Sequence, residues 1–275
     1  MVAVMLLANS GERQPKPRRT IMSRRHIVAL TALAALIPLV SDASFAQTTP
    51  SNQTVNPITP ITLPPYNPVI NPAKFSAKIT NKYFPLVPGT VFVYEGNRDG
   101  LTRRAEHTVT SDTRKIMGVD CIVVRDIAFT NTEMVEKTVD WYAQDSLGNV
   151  WYFGEDTAEY KNGKVTSTHG TWMAGVDGAL PGIIMQASPK LGEGYRQEYR
   201  PGAAEDYAKV VQVNAGTLGP MGKYDNVVVT EDTDLLDVNK FEHKSFAPDV
   251  GFIGSSGLVN GHQEEIGLVK ILKSN

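Results

Sequence analysis

The chain has 275 residues, of which 27 are basic and 29 acidic, and its single cysteine, Cys121, excludes an internal disulfide. Beyond residue 46 no basic run exceeds the pair Arg103-Arg104, so the charge pattern argues against nucleic acid or an anionic membrane surface as a partner.

Residues 1–46 are predicted to be a secretory signal, with Met22 as an alternative start. Basic residues at 24–25 precede an apolar run over 27–40, and residues 44–46 supply small side chains for cleavage. The run is shorter than the roughly 20 residues that span a bilayer, so no stable membrane span is expected in the mature protein. A periplasmic or secreted location follows, by the general or the twin-arginine route. Cleavage removes six basic and two acidic residues and leaves 21 basic against 27 acidic, a net charge of −6.

Residues 47–73 are predicted to form an arm or linker. Seven of the 17 prolines lie in this segment, which has almost no charge. Proline removes a backbone donor and favours extended geometry, so the segment is a poor sheet strand. Its few Ile, Val and Tyr side chains allow it to pack across the domain or to dock on a protein partner.

Residues 74–275 are predicted to form one all-β domain. Short β-type runs alternate with turn signals such as Met117-Gly118 and Asn162-Gly163, and no stretch keeps a helical period for 12 residues. The pattern favours a curved antiparallel sheet or an open barrel built as a meander. The apolar run that holds Cys121 predicts a small buried side chain there rather than a nucleophile.

The stretch "DWYAQDSLGNVWYFGED" (140–156) is predicted to be a hairpin that turns at Gly148. The expected register sets Asp145 opposite Asn149, with three further pairs: Ala143 and Trp151, Trp141 and Phe153, Val139 and Glu155. Strand alternation then gives one apolar face, made of Val139, Trp141, Ala143, Trp151 and Phe153. The opposite face is expected to be solvated, or to line a groove if the sheet curls, and it carries Asp140, Tyr142, Gln144 and Tyr152.

Between His169 and Asp206 the β pattern stops, and seven glycines surround the apolar tract "ALPGIIM". A connection of this length favours a cap loop, either as a structural closure of the barrel or as a lid over the tyrosine face. In the second case Trp172 and Met185 would contact a hydrophobic ligand.

The stretches "NKYFPLVPGTVFVYEG", "MGVDCIVVRD", "DWYAQDSLGNVWYFGED" and "KYDNVVVTED" resemble a loosely defined group of exported bacterial β proteins of mostly unassigned function. The resemblance covers roughly residues 80–255. Such proteins look like distant relatives of the half-barrels that carry lipoproteins through the periplasm. The resemblance implies an open sheet able to hold something hydrophobic, and it transfers no catalytic residues.

The leading expectation is an exported, non-catalytic protein that binds a small or hydrophobic ligand on the polar-aromatic face, through Asp140, Tyr142, Gln144, Tyr152, Trp172 and Met185. One alternative is an acid–base enzyme, a hydrolase or lyase, that uses Asp140, Tyr142, Glu155 and His169. The other is a structural or interaction module. No motif for a metal or a cofactor is present, so neither is expected.

Overall fold

The computed structural model describes residues 63–259 and 261–273. The predicted signal and most of the predicted arm lie outside the described residues. Pro72–Lys74 forms one turn of 3₁₀ helix, and none of the described residues forms a helix long and apolar enough to cross a bilayer. Sixteen strands follow: β1 (Phe75–Ser76), β2 (Thr90–Arg98), β3 (Leu101–Ile116), β4 (Val119–Thr130), β5 (Glu133–Asp145), β6 (Val150–Lys161), β7 (Lys164–Ser167), β8 (Trp172–Met173), β9 (Leu180–Met185), β10 (Gly194–Arg196), β11 (Glu198–Tyr199), β12 (Asp206–Gly219), β13 (Gly222–Asp234), β14 (Asp237–Ala247), β15 (Gly251–Val259) and β16 (His262–Lys273).

The strands form one antiparallel sheet that is nearly closed into a barrel with one unsealed seam, as the sequence predicted. The strand order is β10-β12-β13-β14-β15-β16-β2-β3-β4-β5-β6-β9-β11. Most neighbours are joined by tight hairpins. The turn signals act as expected: Met117-Gly118 and Asn162-Gly163 both have positive φ at each residue, the geometry that matches the twist of a two-residue hairpin.

The glycine-rich segment is not a continuous loop, because it contributes the short strands β8, β9, β10 and β11. β10 pairs with β12, whereas β11 pairs with β9 at the other end of the strand order. Between them, the backbone N–H of Gln197 donates to the carbonyl of Asp206 at 2.8 Å. The segment therefore belongs to the barrel wall and brings the two ends of the sheet together.

The hairpin at 139–156 has the expected turn but only part of the expected register. Gly148 has φ +95°, and Ala143 lies opposite Trp151 as predicted. The prediction that Trp141 lies opposite Phe153 is wrong, because a β-bulge sets it opposite Gly154. Past the bulge the pairs are shifted by one residue, so residue 139 lies opposite 156 and residue 140 opposite 155.

Gly154 permits this bulge. Its φ is +130°, and a Cβ atom there would lie 2.3 Å from the carbonyl oxygen of Trp172. Only glycine adopts such a φ at little cost, and only glycine lets β8 approach this closely. The bulge and the pairing of β8 with β6 thus depend on one residue.

The two faces of the sheet bury separate apolar clusters. The inner cluster lies inside the barrel and includes Phe92, Tyr94, Val109, Val124 and Leu268. The outer cluster contains the predicted apolar face of the hairpin, and Ile70 and Phe75 pack against it. Its members include Cys121, Trp141, Ala143, Phe153 and Trp172. Cys121 is fully buried, as the sequence predicted.

The chain before β2 closes part of the barrel. Ile79 and Leu86 are buried in the inner cluster. Asn81 holds this plug segment, residues 77–86, in place because its Nδ2 donates to the carbonyls of Gly148 and Gln186 at 2.8 and 3.1 Å. The preceding residues run along the outside, where the hydroxyl of Tyr66 donates to the carbonyl of Pro181 at 2.8 Å.

Candidate functional site

A cavity of about 160 Å³ lies inside the barrel, between the plug segment and the inner faces of β2 to β6. Alternation along these strands points every second side chain inward. One part of the cavity wall is apolar and aromatic, formed among others by Phe84, Phe92, Tyr94, Val124 and Phe252. The other part is polar, formed by His107, Asp126, Glu136, Thr138, Asp140, Tyr142 and Glu155. The cavity can therefore hold both an apolar body and a polar group.

His107 and Asp126 form an ion pair across β3 and β4, with 2.7 Å between Nε2 and Oδ2. The imidazole lies against Tyr94, with ring centres 4.7 Å apart. The other carboxylate oxygen of Asp126, Oδ1, is shielded from solvent and has no hydrogen-bond partner among the described residues. A buried carboxylate oxygen without a donor is energetically unfavourable, so this atom is an unsatisfied acceptor behind the cavity surface.

Asp140 and two tyrosines form the adjoining part of the wall. The hydroxyl of Tyr152 donates to Asp140 Oδ1 at 2.5 Å. The Tyr152 ring stacks on Tyr142, with centres 4.8 Å apart and an interplanar angle of 17°. Below them the hydroxyls of Thr138 and Thr157 are hydrogen-bonded at 2.7 Å. This arrangement orients Asp140 firmly, because its partner is itself packed.

Burial dominates the electrostatics of this wall. It raises the pKa of Asp140 to about 7, an effect reinforced by the charge of Asp126 and opposed by the Tyr152 hydrogen bond. Burial also raises the pKa of Glu136, and the charge of Asp126 adds to the rise. It raises the pKa of Glu155 well above its ordinary value, with Glu198 as the next cause. These carboxyls hold protons more tightly than carboxyls in water do.

Burial alone would lower the pKa of His107. The charge of Asp126 and the hydrogen bond to it outweigh burial, so the pKa of His107 is raised. The imidazole therefore keeps its proton to a higher pH, and it is the one basic group among the described residues that line the cavity.

The structure brings only some of the sequence-predicted residues together. Asp140, Tyr142 and Glu155 line the cavity, and Tyr152 supports it from behind. Gln144 instead anchors the plug segment, because its Oε1 accepts from the backbone N–H groups of residues 80 and 81 at 2.7 and 2.9 Å.

The remaining three residues do not line this cavity. Met185 is fully buried in the inner cluster. Trp172 belongs to the outer cluster, and its ring contacts Tyr152 with centres 5.4 Å apart. It lines a second pocket of about 310 Å³ that shares Glu155 with the first cavity. His169 is exposed beyond the end of β7.

The expectation of a solvated tyrosine face is wrong. Asp140 is only 8% exposed and Tyr152 only 4%, because the curled sheet encloses them. The alternative prediction, that the sheet curls and this face lines a groove, agrees with the burial of these two side chains.

Sequence reasoning missed His107, Asp126 and Glu136. The Met117-Gly118 turn alone would set His107 opposite residue 128, but a register shift between Val109 and Thr113 sets it opposite Asp126. The signal that could have found the pair is the run of inward positions 122, 124 and 126, which passes from apolar side chains to an acid.

These features define an antiparallel β-barrel with an acid-lined internal cavity, and comparisons with known proteins assign no family to it. No family model matches the chain, and no curated protein matches it. A crystal structure described as a "putative lipoprotein from Parabacteroides distasonis ATCC 8503" is similar over 70% of this chain and 99% of that one, at 12% identity and a TM-score of 0.38. A similarity at this level carries no argument about function.

Proposed function

We propose that this chain is an exported binding protein that holds a small ligand inside its barrel. Support for export comes from the sequence features of residues 1–46. Support for binding comes from one observation, the internal cavity in which an aromatic wall faces a wall of oriented polar groups. Ligand sites are typically concave and largely apolar, with a few fixed polar groups that set orientation.

The cavity volume limits the size of the ligand. An engineered protein cavity of about 150 Å³ binds benzene, so a cavity of about 160 Å³ suits a compact ligand with one ring or a short branched chain. The ligand we propose is therefore small, with an apolar body against Phe92 and Phe252 and a polar group toward Asp140.

The direct test is native mass spectrometry of the protein purified from the cells that make it. We expect a retained small molecule, and we expect its loss in a Val250→Phe variant, which places a ring in the cavity that Val250 lines. Val165→Phe is the matched control, because Val165 is exposed on β7. If the natural protein carries nothing, or if both variants retain the molecule equally, the cavity is not the binding site.

An acid–base enzyme is a second candidate, favoured by the His107–Asp126 pair in the same cavity as Asp140. A histidine and a carboxyl whose pKa is near 7 can exchange protons with a bound molecule at neutral pH. The retained molecule distinguishes a binding protein from an enzyme. If the protein only binds, the molecule remains chemically unchanged after incubation with the natural protein. Chemical conversion that is lost in a His107→Gln variant would identify an enzyme.

A further inference from the structure

The proposed ligand must also match the ionisable groups of the cavity, which are mostly acidic. Four carboxyl groups line it, from Asp126, Glu136, Asp140 and Glu155, against the single imidazole of His107. We infer that the cavity selects a compact molecule that carries a protonated amine on an apolar body. This inference rests on the proposed function and adds the chemical class of the ligand.

The basic side chains nearby on the sheet are engaged elsewhere. Arg98 and Arg103 both pair with Glu264, the latter at 3.2 Å. On the other side of the barrel, Lys244 pairs with Asp232 at 3.1 Å. None of these three bases lines the cavity. Arg103 nevertheless acts on Glu136 through its charge, and His107 acts on Asp126 and Asp140. Within the cavity lining, any further positive charge comes from protons or from a ligand.

Two features of the wall suit an ammonium group in particular. The Oδ1 of Asp126 accepts no hydrogen bond from the described residues but is closed off from the cavity, so a ligand donor reaches it only when the neighbouring side chains shift. The rings of Phe92, Tyr94 and Phe252 form the facing wall, and aromatic faces attract cations that approach within about 6 Å.

A metal ion suits the wall less well than an organic cation does. Among the described residues, no three His, Cys, Asp or Glu side chains converge with the geometry to hold an ion. The carboxyls are instead spread along one wall with apolar side chains opposite, an arrangement that matches a molecule with a charged end and an apolar end.

The protonation state of the wall provides a distinctive signature. A cation beside a carboxyl favours its ionised form and lowers its pKa. Because burial raises the pKa of Asp140 to about 7, an ammonium group would displace protons at neutral pH. The charged and titratable groups around Asp140 set the size of this exchange: His107 from β3, Asp126 from β4, Glu136 and Tyr142 from β5, Tyr152 and Glu155 from β6, and Glu198 from β11. The net result expected is release of protons on binding.

The test is isothermal titration calorimetry of the full mature chain with three probes of matched shape: benzylammonium, benzyl alcohol and benzoate. We expect benzylammonium to bind at least about tenfold more tightly than benzyl alcohol, and we expect benzoate not to bind. A charge-assisted hydrogen bond contributes about 1.5–3 kcal/mol, and a tenfold change in affinity corresponds to about 1.4 kcal/mol. Repeating the titration at pH 7 in two buffers of different ionisation enthalpy should show proton release for benzylammonium only.

Variants identify the groups responsible. Asp140→Asn and Glu155→Gln should each weaken benzylammonium about tenfold and leave benzyl alcohol unchanged. Asp120→Asn is the matched control, because Asp120 is exposed on β4 and pairs with Lys115 at 2.7 Å. It should change neither affinity.

The outcomes separate the inference from the proposed function. If benzyl alcohol binds as tightly as benzylammonium, or if the retained molecule has no basic group, the cavity binds a ligand but the amine inference is wrong. If no probe binds and mass spectrometry finds no retained molecule, the proposed function fails and the inference fails with it. If no probe binds but the retained molecule is an amine, the class is correct and the probes have the wrong shape.

Discussion

Asp140 should make the folded protein less stable as the pH rises, and Asp140→Asn should remove that loss. The pKa of this carboxyl is raised from 3.8 to about 7 in the fold, mainly by burial. An unfolded chain therefore releases this proton at lower pH than the folded chain does. The contribution of Asp140 to stability is greatest below pH 3.8, falls between pH 3.8 and 7, and levels off above 7. At 1.36 kcal/mol per pH unit, the loss is up to about 4 kcal/mol.

The substitution isolates the charge from the hydrogen bond. An asparagine oxygen still accepts the Tyr152 hydroxyl that Asp140 accepts at 2.5 Å, so the neutral variant keeps the geometry. We expect the free energies of unfolding of the natural protein and Asp140→Asn to agree within about 1 kcal/mol at pH 4. At pH 8 the variant should be more stable by several kcal/mol, up to the same limit of about 4.

Urea unfolding followed by tryptophan fluorescence at pH 4, 6 and 8 measures this difference. Asp120→Asn serves as the control, because an exposed ion pair contributes about 0–1 kcal/mol and should not produce such a slope. Parallel stability curves for the natural protein and Asp140→Asn across this range would refute the reasoning, as would a variant that is less stable at pH 8.

Three further predictions concern the fold that holds the site. Gly154→Ala should destabilise the protein by several kcal/mol and loosen β8, since the new methyl would lie 2.3 Å from the Trp172 carbonyl; thermal melting measures the loss. Gln144→Ala should destabilise the protein by about 1–3 kcal/mol, because it removes two hydrogen bonds to the plug segment, and should speed amide exchange over residues 77–86. Unchanged exchange would mean that Asn81 alone holds the plug segment. Cys121 should resist iodoacetamide in the folded protein and react in urea, because burial raises the pKa of its thiol to about 12 and hides it, and rapid labelling without urea would contradict its position.

The sequence allowed the fold to be predicted wherever a local signal determines geometry. Turns such as Met117-Gly118 and the left-handed Gly148 can be read from glycine and its neighbour, because few other residues adopt those angles. The apolar face around Trp141 and Phe153 follows from strand alternation, and these side chains do share one cluster. Local chemistry is sufficient for features of this kind.

The site depended on information that local patterns do not contain. Alternation separates two faces of a strand, but it does not say whether the polar face meets solvent or the inside of a barrel. Closure of the sheet decided this for Asp140 and Tyr152. The bulges at Phe153 and after Val109 then moved register by one or two residues, and the second of them brought His107 to Asp126. Such shifts arise from long-range packing, so the partner of His107 could not be read from the turn signal alone.

The distribution of charge inside the barrel links the fold to the proposed role. Elsewhere in the barrel, several acids are paired with bases, as in the Lys244–Asp232 and Arg103–Glu264 pairs. On the cavity wall, burial opposes the ionised forms of Asp140 and Glu155, and the charge of His107 offsets this only in part for Asp140. Stability alone would favour apolar or paired side chains there, since a buried unpaired carboxylate is costly. Unfavourable charge concentrated around a cavity is typical of a site shaped for a ligand, and a positively charged ligand would remove that cost where it arises.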